Sequence, residues 1–243
     1  MINISQAFIL AAGRGERMKP LTDTIPKPLA KIKDKAMIDY IIDKVSAVPS
    51  INKIVVNCYY LAEILEAHLK SLNNHKIIIS HETEKLETGG GLVNAMPFFD
   101  DTQPILIING DIFWSDEHNS LLEKIIENFD EKNMDILLAM KPREQFFGYE
   151  GKGDFDLKKG GSLLNKGSEY YSHTYIGVQI IHPRILKNYP AEKCQLGKSF
   201  SLGYFFKRNE KLKGVEVEER IFHIGTVKTL EEINNLLGLT QEF

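Results

Sequence analysis

Several short stretches of this 243-residue chain combine residue types that can act on phosphate. The first is Leu10-Ala11-Ala12-Gly13-Arg14-Gly15-Glu16-Arg17-Met18. Two glycines behind an apolar run let a backbone approach a ligand closely, and successive N–H groups in such a turn can hold phosphate oxygens. Arg14, Arg17 and Lys19 add positive charge at the same place. A triphosphate requires that combination, because its charge must be neutralised while its phosphorus stays open to attack. A solvated basic loop is the plainer alternative. The dinucleotide fingerprint does not fit, since Met18 stands where its third glycine would fall. The Gly-Lys pairs at 151–152 and 197–198 lack the context of a P-loop.

The second stretch is Pro26-Lys27-Pro28. Prolines on both sides restrict Lys27 toward an extended backbone, a stiff mount that aims one ammonium at a fixed point. A phosphoryl group gaining charge there would be stabilised; an exposed lysine in a rigid loop is the alternative. The third is Asn109-Gly110-Asp111, where a carboxylate behind a strand is placed to hold Mg²⁺ or, more simply, to close a turn or cap a helix. The fourth is Leu86-Glu87-Thr88-Gly89-Gly90-Gly91, whose glycines permit backbone contact with a flat base or ribose. Thr88 is equally suited to an N-cap.

These stretches need elements to hold them. Apolar runs predict strands over 7–12, 53–57, 76–80, 104–108 and 135–140. Helical spacing predicts helices over 37–45, 61–72, 89–96 and 121–129. Such alternation predicts an α/β, Rossmann-like fold: a mixed, mainly parallel central sheet with helices on both faces. Ligands in such sheets lie at the carboxyl ends of strands, so the loops from Gly13, His81 and Asn109 should share one cleft. Beyond residue 140 the pattern changes. Residues 148–167 read as a hairpin or lid, 174–181 as a strand, 200–212 as a helix, and 215–218 and 221–224 as strands. Thr229 with Glu232 reads as a capping box opening a last helix through residue 237. His68 reads as a packed helix residue rather than a ligand.

Composition sets the outer limits. With 43% hydrophobic and 26% charged residues, the chain has the balance of a soluble globular protein. A net charge of −3 gives no field favouring nucleic acid or an anionic membrane, so phosphate binding must be local. Cys58 lies in an apolar run and reads as a buried thiol. With the distant Cys194 it gives neither a metal pattern nor a disulfide framework, which fits a reducing compartment. Residues 1–6 lack the marks of a signal peptide, and no apolar run approaches the roughly 20 residues of a membrane helix. A cytoplasmic protein is expected.

In order and spacing the four stretches resemble the sugar-phosphate nucleotidyltransferases, over most of the chain and most densely over 7–111. Within that family the resemblance is to the N-acetylmuramate 1-phosphate uridylyltransferases of peptidoglycan recycling. It rests on Leu86 to Gly91, on Gly151-Lys152-Gly153-Asp154-Phe155, and on Thr174-Tyr175-Ile176-Gly177-Val178 followed by His182-Pro183. Mannose-1-phosphate guanylyltransferases share the first stretches. The resemblance implies one domain over 1–243, with a nucleotide part to about 140, a sugar part over 141–228 and a final helix over 229–243. It implies displacement at the α-phosphorus of a nucleoside triphosphate by a sugar 1-phosphate, with UTP and N-acetylmuramate 1-phosphate as first reading and the guanylyl or another transfer as alternative. Arg17 would hold the leaving pyrophosphate, Lys27 would bridge the reacting phosphates, and Asp111 would bind Mg²⁺, with Mn²⁺ as the alternative ion. Leu10, Ala11, Ala12, Gly13, Gly15, Glu82, Glu87, Thr88 and Gly89 would frame the nucleotide, and Asn109, Asp154 and Gly177 the sugar. Lys152, Lys158 and Lys159 are loosely placed for a lactyl carboxylate. Partners would be these small molecules alone, and the chain a catalytic module without a hexapeptide-repeat extension, a monomer or weak homo-oligomer.

One departure stands out. Family members carry a second metal-binding acid in an Asp-x-Gly-Thr motif, and here the run is Phe222-His223-Ile224-Gly225-Thr226. Imidazole suits softer divalent ions than Mg²⁺. His223 therefore implies a different metal such as Mn²⁺, an ion held by Asp111 and triphosphate alone, or a catalytically impaired nucleotide-sugar-binding protein. A glycosyltransferase would need an Asp-x-Asp motif. Asp154-Phe155-Asp156 has that spacing but falls in the lid-like segment.

Overall fold

The computed structural model describes residues 4–115, 120–165, 167–187 and 198–239. Cys194, Gly197 of one Gly-Lys pair and residues 240–243 of the expected last helix lie outside the described residues. The chain begins with β1 (Gln6–Leu10), the short pair β2 (Lys31–Ile32) and β3 (Lys35–Ala36), and α1 (Met37–Ala47). It continues through β4 (Lys53–Cys58), α2 (Ala62–Ser71), β5 (Ile77–His81), α3 (Glu87–Ala95), β6 (Ile105–Asn109), β7 (Ile112–Ser115), α4 (Ser120–Glu127) and β8 (Ile136–Pro142). The remainder forms β9 (Asp156–Leu157), β10 (Leu163–Leu164), β11 (His173–Ile181), α5 (Arg184–Lys187), α6 (Gly203–Phe206), β12 (Leu212–Glu216), β13 (Arg220–His223) and α7 (Val227–Leu239).

Among the described residues the central sheet has seven strands in the order β12-β8-β11-β6-β1-β4-β5. β5, β4, β1 and β6 are parallel neighbours, as crossovers through helices require. β11 runs antiparallel between β6 and β8. The sheet is therefore mixed, and β8 does not neighbour β6 although it follows it through the α4 crossover.

Side chains of each strand alternate between two covered faces. Ala7, Ile9, Ile54, Val56, Leu106 and Ile108 join Ile38, Ile41 and Val45 of α1, Leu65 of α2 and Leu122 of α4 in one core. Phe8, Val55, Ile105 and Ile107 face the other way, onto Leu92 and Ala95 of α3 and onto Phe205 of α6. Strands covered on both faces carry no polar alternation, which is why their sequences are unbroken apolar runs. Each fully buried Val, Leu, Ile or Phe side chain among these is worth about 1.5–3 kcal/mol. A third cluster joins Met18, Phe113, Phe222, Ile224 and Ile233, fastening α7 to the 16–18 turn and to the β7–β13 ribbon.

Cys58 is buried, and burial, aided by the charges of Glu66 and Glu82, pushes its thiol up to about 12. His68 Nε2 lies 2.7 Å from Asp39 Oδ1, tying α2 to α1. No helix among the described residues is long and apolar enough to cross a membrane.

Three expectations are corrected. The helix over 200–212 is reduced to the four residues of α6, because Leu212 already pairs with Ile136 as the start of edge strand β12. That strand ends at Glu216 rather than running over 215–218. The last helix starts at Val227, capped by Thr226, whose Oγ1 accepts from Thr229 N at 3.2 Å; Thr229 is thus inside the helix rather than its cap.

Candidate active site

The site begins where β1 ends. Ala11 N–H donates to Asn57 Oδ1 at 2.6 Å, and Asn57 Nδ2 donates to Glu82 Oε1 at 2.6 Å. Asn57 and Glu82 are 2% and 7% exposed, so one buried amide joins the ends of β1, β4 and β5. Burial raises the Glu82 carboxyl above its ordinary value, against hydrogen bonds from Asn57 and the Leu86 backbone. Gly110 N–H donates to Leu10 O at 2.9 Å, and a Cβ on Gly110 would fall 2.6 Å from that oxygen. A side chain there would push the end of β6 off the end of β1.

That approach sets Asp111 over the mouth of the sheet. Lys27 Nζ donates to Asp111 Oδ2 at 2.7 Å, with side chains 11% and 27% exposed. His223 Nε2 lies 3.5 Å from the same oxygen. Register explains the meeting, since His223 pairs with Ile112 across β7 and β13 and Ile224 N–H donates to Asp111 O at 2.8 Å. Burial alone would raise the Asp111 pKa. The charge of Lys27 and the hydrogen bond and charge of His223 outweigh it and hold the carboxyl well below the usual carboxylate range.

Lys27 is mounted differently from the expectation. It opens a 3-10 turn rather than lying extended, closed by Leu29 N to Pro26 O at 2.9 Å and Ala30 N to Lys27 O at 3.0 Å. Pro26 and Pro28 are buried. Arg17 reaches the other side of the cluster, where a Cβ on Gly225 would fall 2.9 Å from Arg17 Nη2 and 2.8 Å from His223 Cε1. Arg14 turns away to Tyr59, with 3.4 Å to its hydroxyl, and Lys19 pairs with Asp23 at 3.3 Å. Of the three loop cations only Arg17 lines the cleft, because the other two find partners outside it.

A cavity of about 310 Å³ gathers Leu10, Ala11, Ala12, Gly13, Gly15, Arg17, Lys27, Glu82, Glu87, Thr88, Asn109 and Asp111. Asn57 and Lys85 line it as well, and sequence reasoning passed over both. Asn57 could have been found as the polar residue inside the apolar run 53–58. A second cavity of about 430 Å³ adjoins the first at Thr88 and Asn109. Asp154 lines it, its Oδ2 accepting from Thr174 Oγ1 at 2.6 Å and Tyr175 N at 2.8 Å. So do Tyr175, Gln179 and Lys207.

Two expected residues stand apart. Gly89 is buried, its N–H is given to Phe200 O at 2.8 Å, and a Cβ on it would fall 2.3 Å from the Phe200 ring. The glycines of α3 thus admit protein rather than base or ribose. Gly177 (φ +88°) sits beneath Asn109, where a Cβ would lie 3.0 Å from Asn109 Nδ2. It supports Asn109 and does not line the second cavity. Lys152 lies over the Tyr170 ring at 5.6 Å, and Lys158 and Lys159 line neither cavity.

Among the described residues no three His, Cys, Asp or Glu side chains gather as a complete metal cage. Asp111 and His223 offer one carboxylate and one imidazole on the same spot. That set fits a divalent ion whose other ligands are phosphate oxygens and water, and its nitrogen favours an ion softer than Mg²⁺.

The sequence matches the family described as Nucleotidyl transferase over residues 6–153. It is 32% identical to the N-acetylmuramate alpha-1-phosphate uridylyltransferase of Caulobacter vibrioides, over 90% of this chain and 91% of that protein. It is 31% identical to the D-glycero-alpha-D-manno-heptose 1-phosphate guanylyltransferase of Aneurinibacillus thermoaerophilus, over 86% of each. The solved inositol-1-phosphate CTP transferase of T. maritima shares the fold, with a TM-score of 0.75 at 17% identity over 99% of this chain and 97% of that one.

Proposed function

This chain belongs to the nucleotidyl transferase family, as a sugar-phosphate nucleotidyltransferase, and from that premise we propose that it joins UTP to N-acetylmuramate 1-phosphate in the cytoplasm. The observation that carries the reading is the 2.7 Å contact of Lys27 and Asp111, in a cleft that opens into a second, polar cavity. Nucleoside triphosphate lies in the first cavity and sugar in the second, so the reacting phosphates meet between them.

An oxygen of the sugar phosphate attacks the α-phosphorus, the bond to the β-phosphate oxygen breaks, and pyrophosphate leaves with that oxygen. No side chain is modified. The chain positions two anions and neutralises them. Backbone N–H groups of the 12–15 turn hold phosphate oxygens. Lys27 lies between the attacked and attacking phosphates and stabilises the charge that builds there. Arg17 draws off the pyrophosphate. Asp111, ionised through the working range, shares Lys27 and, with His223, is where a divalent ion would be held. Such an ion, Mg²⁺ or Mn²⁺, supplies charge neutralisation at the phosphate oxygens. Asn57 keeps Ala11 in place, and Glu87 and Thr88 border the nucleoside.

Lys207 supports an acidic sugar. It is the cation lining the second cavity among the described residues, with no ion pair or hydrogen bond of its own there. The lactyl carboxylate of N-acetylmuramate supplies the matching charge. The test is pyrophosphate release from a matrix of nucleoside triphosphates and sugar 1-phosphates, each with Mg²⁺ and with Mn²⁺. UTP with N-acetylmuramate 1-phosphate is expected to give the highest kcat/KM. A higher value with GTP and a mannose-type sugar would move the assignment to the guanylyl branch, and binding of both substrates without release would make the chain a binding protein.

A further inference from the structure

The second cavity carries polar atoms that the transfer itself does not use. Tyr175 Oη and Gln179 Oε1 are buried without a hydrogen-bond partner, and both residues line this cavity. Only one other buried side-chain atom among the described residues lacks a partner, so the concentration here is not a general looseness of the fold. Gln179 is 1% exposed, and a buried amide left unpaired is normally waiting for something.

The backbone brings the two side chains together. Tyr175 pairs with Met140 and Gln179 with Leu138, so the stretch Tyr175–Gln179 of β11 lies opposite the shorter stretch Leu138–Met140 of β8. Four steps of regular strand would set the two Cα atoms ~13 Å apart; the two steps of β8 opposite them span only ~7 Å. Gly177, at φ +88°, is what lets the strand gather in this way. Burial, with the negative charges of Asp111 and Asp154, pushes the Tyr175 phenol well above its ordinary value, so it arrives as an O–H donor. Gln179 Oε1 is an acceptor. Phe155, Leu202 and Phe206 supply apolar wall beside them.

A donor and an acceptor on neighbouring side chains, with apolar surface alongside, complement a secondary amide ending in a methyl group. We propose that Tyr175 and Gln179 together recognise the acetamido group of an N-acetylated amino sugar. Tyr175 O–H donates to the acetamido carbonyl, and the acetamido N–H donates to Gln179 Oε1. A hydroxyl in the same place has a single oxygen with which to serve both atoms, does not span them as an amide does, and leaves the apolar wall uncovered. The proposal rests on the second cavity being the sugar site.

The experiment compares N-acetylglucosamine 1-phosphate with glucose 1-phosphate, which differ in the acetamido group and lack the lactyl carboxylate. Wild type, Tyr175→Phe and Gln179→Leu are each titrated by calorimetry and assayed for pyrophosphate release. The wild type is expected to prefer the acetamido sugar. Each substitution should cut that preference about tenfold, the loss of one hydrogen bond into a buried site. Glucose 1-phosphate binding should change less than N-acetylglucosamine 1-phosphate binding, and the KM for nucleoside triphosphate should not move. Both variants should melt at or above the wild-type temperature, since each removes an unpaired buried atom. A preference unchanged in both variants overturns the proposal, as does an equal loss for both sugars. Titration separates this from the catalytic reading: a chain that binds with the expected preference but releases no pyrophosphate fails as an enzyme and keeps the amide site.

Discussion

Around the first cavity polar side chains hold one another, whereas the second keeps two buried polar atoms and one lysine unpaired among the described residues. In the first, Ala11, Asn57 and Glu82 form a chain of hydrogen bonds, and Lys27 and Asp111 form an ion pair with the His223 ring against it. In the second, Tyr175 Oη and Gln179 Oε1 have no partner and Lys207 has no counter-ion among the described residues. The contrast separates two tasks. A reaction centre gains from groups fixed before the substrate arrives, because nothing then reorganises as charge develops. A selecting site gains from groups satisfied only by the right ligand, because a wrong one leaves them unpaired.

The largest test of the first half is Lys27→Met. Loss of one preorganised charge should lower kcat by about 10²–10³ while moving the KM for nucleoside triphosphate little, read by steady-state pyrophosphate release. The same variant has a pH signature. Asp111 is held below its unfolded value of about 3.9, so the pair contributes stability that is present above that pH and is lost as pH falls through the lower folded value. The stability gap between wild type and Lys27→Met should therefore be at its full width near neutrality and begin to narrow below about pH 4 in denaturant titrations. Near-normal turnover, or a gap that widens in acid, would mean that Lys27 and Asp111 are only a surface pair.

Asn57→Ala sharpens the comparison from the structural side. It leaves the Ala11 N–H and the Glu82 carboxyl without their partner in a buried place, a cost of about 1–3 kcal/mol in unfolding free energy. Loosening the loop at 11–13 should also raise the KM for nucleoside triphosphate about tenfold with kcat less affected. If Asn57→Ala lowers kcat as far as Lys27→Met does, the idea of a scaffold separate from the charges it holds is wrong.

How far each half could be read in advance follows the same division. The strands and helices through residue 140 announce themselves because crossovers need strand and helix in alternation and doubly covered strands need unbroken apolar runs. Lys27 and Asp111 sit in rigid loops at strand ends, where residue type and position agree. Strand β7 was not foreseen, although it is what delivers His223 to Asp111. Its Ile112-Phe113-Trp114 run is too short to separate from the β6 run before it. Nor does local pattern say which later strand fills the space between β6 and β8, since that pairing is non-local. Tyr175 and Gln179 look like ordinary strand residues until the gathering of β11 at Gly177 sets them side by side. The glycines of α3 differ for the opposite reason: close approach is what their sequence predicts, but what approaches is Phe200 at Gly89, Lys198 O at Gly90 and Glu82 at Gly91.

On the selecting side, Lys207→Met should raise the KM for N-acetylmuramate 1-phosphate about tenfold, roughly the 1.4 kcal/mol of one charge contact at an exposed rim. N-acetylglucosamine 1-phosphate, without the carboxylate, should be unaffected. An equal change for both sugars would show that Lys207 serves the phosphate they share.

The smallest effect concerns His223, which stands where the resemblance implies a second acid. His223 already touches Asp111, so an acid there would stand where a second oxygen ligand can share an ion with Asp111. Arg17, adjacent through Gly225, and Lys27 limit the repulsion between the two carboxylates. His223→Asp should therefore raise Mg²⁺-dependent kcat/KM several-fold and lower the ratio of Mn²⁺- to Mg²⁺-supported turnover, because exchanging nitrogen for oxygen favours the harder ion. His223→Asn, which supplies an uncharged oxygen of similar reach, should shift the ratio the same way by less. If both variants lose activity equally with either ion, His223 works by orienting Asp111 rather than by holding metal.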